Sequence, residues 1–428
     1  MVNREVQQTP RAQPKLCYGW IVLAACMAMV VISSGIRFSF GVFFKPIEAE
    51  FGLSRALTSG IFSVYMVLSA LFAILGGWVL DRYKPKILFT AMGLLASLSL
   101  LLTSQASELW HIFMGYSLLF AMGTGPIWVL ALSIAQRWFV KGRGLAIGIV
   151  ASGAGIGIAL VSPISAWITT NYTWHTSYFI LAFIAFFTII PCALLLKGAP
   201  SETIALPGSK KLGASKSEAV DRQHYGEVGD FTLPQAAKTN VFWFVLLLRF
   251  LLACCVFIVI THIVPHALDL GINPMQAALI LSLIGGANVL GMLIMGRASD
   301  RIGRKHALLI CILFLAVAML WVVWSSSLWM LYLFAVIFGF SMGGTAPSLN
   351  ALIGDTFGMG HIGIIMAVLD VPWGIGAAVG PALAGYIFDI SGSYVFAFLA
   401  GMLAALIITV LLLLLRVPKA KMEEETTY

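Results

Sequence analysis

The sequence contains very few charged residues. Only 10% of its 428 residues are Asp, Glu, Lys or Arg, whereas soluble globular proteins carry roughly 25%. Hydrophobic residues make up 60% of the chain, which is more apolar material than the core of a water-soluble fold can hold. The composition therefore excludes a soluble globular protein and indicates a chain that is surrounded by lipid.

The spacings that mark catalytic or metal-binding sites are also lacking. The six cysteines lie within or beside apolar runs, so no disulfide framework is expected. No zinc-ligand spacing, nucleophile elbow or phosphate-binding loop occurs in the sequence. The glycine-rich run at 153–157 lies inside an apolar run and lacks the preceding strand that a nucleotide-binding loop needs. We therefore expect no enzyme, no metal site and no cofactor.

Apolar runs long enough to cross a bilayer are abundant, since about 20 helical residues span its hydrocarbon core. Twelve such runs occur, and the longest polar break follows the sixth. We predict an N-terminal six-helix half at 1–196, a flexible linker at 197–240 with a short helix at its end, and a C-terminal half with its tail at 241–428. The predicted spans are 18–44, 56–80, 87–106, 109–134, 144–169, 177–196, 241–267, 275–296, 306–325, 328–352, 362–387 and 394–415.

Basic residues are distributed unevenly between the loops. With the N-terminus placed inside, 22 of the 26 Lys and Arg residues fall in inside segments, and only Lys45 and Arg55 fall in outside loops. Because cytoplasmic loops carry the excess of basic residues, both termini and the linker are predicted to be cytoplasmic, with the protein in the cell membrane. The same distribution accounts for the net charge of +8 without a nucleic-acid partner.

The chain contains an internal repeat. The segment from Gly296 to Lys305, GRASDRIGRK, follows the eighth run, and a related segment, GWVLDRYKPK, begins at Gly77 after the second run, 219 residues earlier. Gly-Ile-Gly at 155–157 and at 374–376 recurs at the same offset. Matches in order at one offset predict an all-α membrane protein with twelve transmembrane helices in two pseudo-symmetric six-helix halves, an architecture typical of secondary transporters.

The repeated segment resembles the signature of the major facilitator superfamily, Gly-x-x-x-Asp-Arg-x-Gly-Arg-Lys, which follows the second span of each half. Further motifs are similar to those of the monocarboxylate transporters and the related oxalate/formate antiporters in their microbial form. These are Tyr18-Gly19-Trp20 at the first span, Arg137-Trp138-Phe139 before the fifth, and Asp230-Phe231-Thr232-Leu233 with Phe242-Trp243 at the seventh.

This resemblance implies the major facilitator fold and proton-coupled symport of a small organic anion, such as lactate or pyruvate, by alternating access. The implied partners are the anion, protons and membrane lipid, and we expect a monomer to be the functional unit. Alternatives are exchange of organic anions without protons, export of an amphipathic drug-like compound, and a non-transporting receptor that senses a ligand through the linker and tail.

Ionisable side chains inside membrane spans are costly and mark transport paths. Arg37 in the first span is predicted to bind the substrate, because a guanidinium stays charged and fits a carboxylate in a two-point fork. A structural Arg bonded to carbonyl groups is the alternative. His262 is predicted at similar depth in the outer half of the seventh span and suits proton relay or substrate hydrogen bonding. Its alternative is a satisfied histidine at a kink made by Pro265, and for His266 the structural role is favoured.

Asp370 and Arg249 are predicted to share a depth in the inner half. Asp370 is the only carboxylate well inside a span, so it is a candidate for taking up a proton in each transport cycle. Alternatively it forms a permanent ion pair with Arg249. The two roles are compatible, because protonation of Asp370 would break the pair.

The sequence departs from the family pattern in its charged residues. Animal-type monocarboxylate transporters carry Asp-x-x-x-Arg in the eighth span and Lys in the first, and the matching positions here are Asn288, Met292 and Phe38. The expectation is that Arg37, Asn288 and His262 hold the anion, or that the substrate differs from that of the animal-type transporters. Asn288 has an alternative role in a hydrogen bond between helices.

The signature segments themselves are predicted to gate the path rather than to bind the substrate. Their charges are expected to pair between neighbouring spans in one access state and to part in the other. The first copy has Lys84-Pro85 where the second has Gly303-Arg304, so a stronger gate is predicted in the C-terminal half. The predicted gating residues are Asp81, Arg82, Asp300, Arg301 and Arg304.

Overall fold

The structure is a computed structural model that describes residues 15–80, 82–139, 143–196, 231–358 and 361–415. These residues form helices and connecting turns, with no strand among them. Twelve helical segments within them are long and apolar enough to cross a membrane. The predicted all-α class and the predicted number of spans are both confirmed.

The spans are named span 1 to span 12 in chain order. Span 1 has two helices, Lys15–Phe38 and Phe40–Phe51, which are separated at Ser39. Span 4 comprises Leu109–Ile112, a π-helix at Phe113–Phe120, Ala121–Thr124 and Ile127–Trp138. The other spans are Arg55–Leu80, Pro85–Thr103, Arg143–Asn171, Trp174–Leu195, Asn240–Asp269, Pro274–Ile302, Arg304–Val323, Leu328–Phe357, Ile362–Ser391 and Val395–Leu414.

Short polar caps fix several helix ends, because the first N–H groups of a helix have no partner within it. The Thr173 hydroxyl accepts a hydrogen bond from the Thr176 amide at the start of span 6. Thr239 does the same for the Phe242 amide at the start of span 7. Span 11 ends at Gly392, which adopts a left-handed φ of 68°. Hydroxyl caps and a left-handed glycine thus mark the ends of these helices between the apolar runs.

The predicted linker is only partly described, because residues 197–230 lie outside the described ranges. The short helix predicted at its end is present at Leu233–Ala236. Just before it, the Phe231 amide donates to the Phe357 carbonyl at the end of span 10. The exact boundaries of the two halves remain predictions.

The bundle has two faces, which are named here by their loops. The odd-loop face carries the loops between spans 1 and 2, 3 and 4, and so on to spans 11 and 12. The even-loop face carries the remaining loops and the described ends of the chain. Spans 1–6 meet spans 7–12 mainly where span 5 packs on span 8 and span 2 packs on span 11.

Spans 2 and 11 pack tightly near the odd-loop face. The Ser63 hydroxyl donates to the Ala378 carbonyl at 2.6 Å, and a Cβ at Gly374 would lie 3.3 Å from the Ala70 side chain. On the same helix faces but nearer the even-loop face, Ile74 is 69% exposed and the Asp370 side chain 59% exposed. The two halves therefore enclose a cleft that is closed at the odd-loop face and open towards the even-loop face.

Candidate functional site

Arg37 occupies the last turn of the first helix of span 1, inside the bundle. Its Nη2 makes one long hydrogen bond to the Ser34 hydroxyl at 3.4 Å, and its Nε is buried without a partner. No described carboxylate forms an ion pair with it. A guanidinium has five N–H donors, and a charge left unpaired away from water is unfavourable. Arg37 is therefore a partly buried cation with unused hydrogen-bond donors.

Two aromatic side chains contact Arg37. The Arg37 guanidinium lies over the Phe38 ring, 4.6 Å from its centroid, and the Tyr116 hydroxyl donates to the Arg37 carbonyl at 3.4 Å. Tyr116 belongs to the π-helix of span 4, and π-helical turns occur frequently at functional sites. Neither the π-helix nor Tyr116 was predicted, because nothing in an apolar run distinguishes an i→i+5 hydrogen-bond pattern.

Spans 1 and 7 lie side by side in a register that follows the internal repeat. Phe38 stacks on Phe257 with the ring centroids 5.9 Å apart, and these residues are 219 positions apart. Arg37 is therefore level with Val256, and His262 lies six residues nearer the odd-loop face, or about 9 Å at the helical rise. The predicted similar depth of Arg37 and His262 is wrong, because helix packing sets the register and the starts of the apolar runs do not.

His262 is fully buried in a layer where the halves meet. Its Nε2 lies 2.9 Å from the Pro381 carbonyl and 3.2 Å from the Ser59 hydroxyl, and its Nδ1 lies 3.1 Å from the Tyr394 hydroxyl. Because a carbonyl can only accept, Nε2 carries the proton and Nδ1 accepts from Tyr394. Both ring nitrogens are thus engaged in this state, and His262 contacts both halves.

A network of charges joins the two halves at the odd-loop face. Arg55 forms a two-point ion pair with Asp269, with distances of 2.5 and 2.9 Å, and a third contact with Glu48 at 3.3 Å. Lys45 also reaches Asp269, at 2.9 Å. Asp389 accepts hydrogen bonds from the backbone amide of Arg55 at 2.9 Å and from that of Ala56 at 2.8 Å.

An aromatic ring also packs against the Arg55 guanidinium. Arg55 is 5% exposed, and its guanidinium lies 3.6 Å from the centroid of Phe388. In the sequence, Lys45 and Arg55 stand out only as loop charges. The available signal was the position of Asp269 and Asp389 at the ends of two spans that reach the same face.

Asn288 is buried between span 5 and span 10. A Cβ at Gly155 would lie 3.0 Å from the Asn288 Oδ1, and a Cβ at Gly343 would lie 1.9 Å from its carbonyl oxygen. Glycine is therefore needed for this close packing. The side-chain amide of Asn288 makes no hydrogen bond with the described residues. Gly157 packs against Gly35, two residues before Arg37, so Gly35 and Asn288 contact the same turn of span 5.

Arg249 and Asp370 form an ion pair between spans 7 and 11. Arg249 also donates to the Asn350 Oδ1 of span 10 at 2.8 Å, a partner that the sequence analysis did not identify. The pair is asymmetric in exposure, because the Arg249 side chain is 10% exposed and the Asp370 side chain 59%. Asp370 thus faces the open cleft, where a proton can reach it.

The second signature segment is held together within the C-terminal half. Arg304 pairs with Asp300 and with Asp355 at 3.2 Å, which joins the ends of spans 8 and 10 through the start of span 9. Arg301 is exposed at the even-loop face. In the first segment Arg82 is described and exposed, and Asp81 lies outside the described residues. In the second copy Arg304 pairs with carboxylates of two spans and Arg301 makes no ion pair with the described residues; the role of both segments as a gate remains a prediction.

The sequence model of the Major Facilitator Superfamily matches residues 26–291 and 262–427 of the chain. The chain belongs to the Major Facilitator Superfamily. Its curated relatives in that superfamily include "Monocarboxylate transporter 13" of Rattus norvegicus, which is 25% identical over 89% of this chain and 85% of its own length. "Monocarboxylate transporter 12" of Homo sapiens is 26% identical over 93% of this chain and 80% of its own length.

The fold is also similar to that of solved major facilitator structures. A bacterial homologue of the human lysosomal transporter Spinster, in an inward-facing and unoccupied conformation, superposes with a TM-score of 0.68 at 15% identity, covering 94% of this chain and 96% of that one. From the family match and the twelve apolar helical segments, this protein is a multi-pass membrane transporter of the superfamily that moves a small-molecule substrate. No group of three metal-ligating side chains occurs among the residues that the structure describes.

Proposed function

We propose that the protein moves small organic anions, chiefly monocarboxylates of the lactate or pyruvate kind, across the cell membrane by symport with protons. The observation that carries this proposal is the Arg37 guanidinium, which is partly buried, makes one long hydrogen bond and has no described counter-charge. A carboxylate would supply both the missing charge and the missing acceptors. Asn288 is proposed to donate a further hydrogen bond from its unpaired amide.

The even-loop face is proposed to be cytoplasmic, with both chain ends inside, because it carries most of the basic residues. The described cleft would then open to the cytoplasm, and the Arg55–Asp269 network would close the outer end. Transport requires a second state in which this network parts and the even-loop face closes. In that state His262 would lose its contact with Ser59 in the opposite half and could reach the substrate.

Proton coupling is proposed to act through Asp370. The pair with Arg249 is neutral as a whole when Asp370 is ionised, and protonation of the exposed carboxyl would release Arg249 towards Asn350 and the cleft. An anion bound at Arg37 and a proton bound at Asp370 together add no net charge. Because the bound anion and proton together are neutral, the loaded transporter can reorient across the low-dielectric interior at lower electrostatic cost.

A test of the function uses the purified full chain in two assays. A thermal-shift screen of small carboxylates should find ligands that raise the melting temperature, since ligands that bind only the folded state stabilise it. Reconstituted vesicles with an imposed inward proton gradient should then accumulate the labelled hit. Accumulation that is unchanged when the gradient is collapsed would overturn symport, and the absence of any carboxylate ligand would overturn the substrate class.

The second candidate function is transport of a larger amphipathic compound. The observation that favours it is the group of aromatic rings beside Arg37, where Phe257 packs between Phe38 and Trp373 with ring centroids 5.9 Å apart in each pair. Such rings suit an apolar body next to an anionic group. In the same screen, stabilisation by aromatic or long-chain anions but not by lactate or pyruvate would favour this candidate.

A further inference from the structure

A groove with two arginines lies on the outer surface of span 8, close to the even-loop face. It measures about 490 Å³ and is lined by Ile294, Arg297, Ala298, Arg301 and Ile302. All but Ala298 are exposed. The groove lies at the end of a membrane-spanning helix, where the hydrocarbon core gives way to the headgroup region. It is separate from Arg37, which lies inside the bundle.

The face of span 8 that carries the groove changes from apolar to basic along its length. Leu290, Leu293 and Ile294 are each more than half exposed, and Arg297 and Arg301 continue the same stripe at helical spacing. Side chains three and four positions apart lie one above the other on a helix. The result is an apolar track that ends in two adjacent guanidinium groups.

Neither guanidinium is used by the protein within the part of the chain that the structure describes. Arg297 and Arg301 form no ion pair or side-chain hydrogen bond with described residues. The nearest acidic residue in sequence, Asp300, is engaged by Arg304. The cations near the end of a helix are favoured by its dipole, but this effect does not require two of them above an apolar track.

We propose that this groove binds an anionic phospholipid, with its phosphate held by Arg297 and Arg301 and an acyl chain along Leu290, Leu293 and Ile294. Guanidinium groups bind phosphate oxygens through paired N–H donors. A lipid with one net negative charge, such as phosphatidylglycerol, fits better than phosphatidylcholine, because the choline cation of the latter would face two arginines. The groove therefore discriminates by headgroup charge.

The test measures lipid binding to the purified full-length protein by native mass spectrometry, with dioleoyl phosphatidylglycerol and dioleoyl phosphatidylcholine as the two lipids. The intact protein is expected to bind phosphatidylglycerol at least about tenfold more tightly, as charge-assisted hydrogen bonds of this kind allow. The double variant Arg297→Gln/Arg301→Gln is expected to lose that preference.

The matched control is Lys84→Gln/Lys86→Gln, in the first signature segment, which lies in the other half. It removes the same two positive charges from exposed positions on the same face, so it is expected to keep the preference. Equal loss in both double variants would mean that overall charge attracts the lipid, and it would overturn the proposal.

Two measurements on the unmodified protein do not depend on the folding of any variant. Phosphatidylglycerol should raise the melting temperature more than phosphatidylcholine with identical acyl chains. Inorganic phosphate at millimolar concentration should not reproduce that rise, because it lacks the acyl chains that the apolar track holds. Equal stabilisation by the two lipids, or full replacement by inorganic phosphate, would overturn the proposal.

Discussion

Arg37 and Arg55 are both enclosed by the protein, and their surroundings are opposite. Arg55 at the odd-loop face is bound by Asp269 and Glu48, with Phe388 over its guanidinium. Arg37 in the centre has one long hydrogen bond to a serine. Arg55 joins the two halves, and Arg37 has hydrogen-bond donors without partners. The difference indicates that a paired cation stabilises a conformation, whereas an unpaired one is available to a ligand.

Arg249 is intermediate between the two. It has one carboxylate partner, Asp370, and that partner faces the open cleft. Its pair lies within one half, so it does not hold the halves together. Protonation of Asp370 would remove the counter-charge of Arg249 without breaking the ion pairs that close the odd-loop face.

The largest effect is expected at the unpaired cation. Arg37→Ala should abolish uptake, with carboxylate binding weakened by about 100-fold, since hydrogen bonds to charged groups contribute roughly 1.5–3 kcal/mol each. Arg37→Lys keeps the charge but loses the two-point fork, and it should retain part of the binding. Uptake into vesicles and thermal shift measure the two quantities.

The control for this prediction is Lys84→Ala, which removes one exposed positive charge far from the centre and should transport normally. A correctly folded Arg37→Ala protein that takes up labelled carboxylate at the normal rate would show that the unpaired cation is not the substrate site.

The next largest effect is expected at the intermediate pair. Asp370→Asn cannot take up or release a proton, so the variant should exchange substrate but fail to concentrate it under an imposed pH gradient. The variant should also be less stable, because Arg249, whose side chain is only 10% exposed, loses its counter-charge. The double variant Asp370→Asn/Arg249→Gln should recover part of that loss. Uptake with and without the gradient is the measurement, and continued accumulation would exclude Asp370 as the coupling residue.

A moderate effect is expected at the paired cation of the closed face. Arg55→Gln should shift the equilibrium towards opening of the odd-loop face while leaving substrate binding at Arg37 intact. In detergent, a cysteine placed at the buried Ser59 should then react with a polar maleimide about tenfold faster, as expected for a shift of roughly 1.4 kcal/mol. The same variant without Ser59→Cys gives the background from the native cysteines. Unchanged reactivity together with lost substrate binding would reverse the roles assigned to Arg55 and Arg37.

The smallest effect is expected at the exposed pairs of the even-loop face. Asp300→Asn removes a partner of Arg304 within one half, and exposed ion pairs contribute only about 0–1 kcal/mol. Transport should slow by no more than about fivefold, and Asp81→Asn should have a smaller effect, because the first copy lacks an arginine at the position of Arg304. Initial uptake rates compare the two variants, and a larger effect of Asp81→Asn would contradict the predicted asymmetry.

Much of the candidate site could be anticipated from single residues, because ionisable groups are rare in these spans. Arg37, Arg249 and Asp370 stand out against an apolar background, and the Arg249–Asp370 pair was one of the predicted alternatives. The relative depth of Arg37 and His262 could not be anticipated, because it depends on how Phe38 packs on Phe257. The partner Asn350 could not be found either, since a polar residue in a span has no pattern that names its neighbour.

By itself the sequence determined the membrane environment, the twelve spans and the internal repeat, because apolar run length and residue order are properties of the chain alone. Only the tertiary structure decided which charges are paired. Lys45, Arg55, Asp269 and Asp389 are separated by up to 344 positions, and they meet because two helical bundles close at one face. Among the described residues, the packing places Ser34 and Phe38 against the Arg37 guanidinium and no carboxylate within ion-pair distance of it.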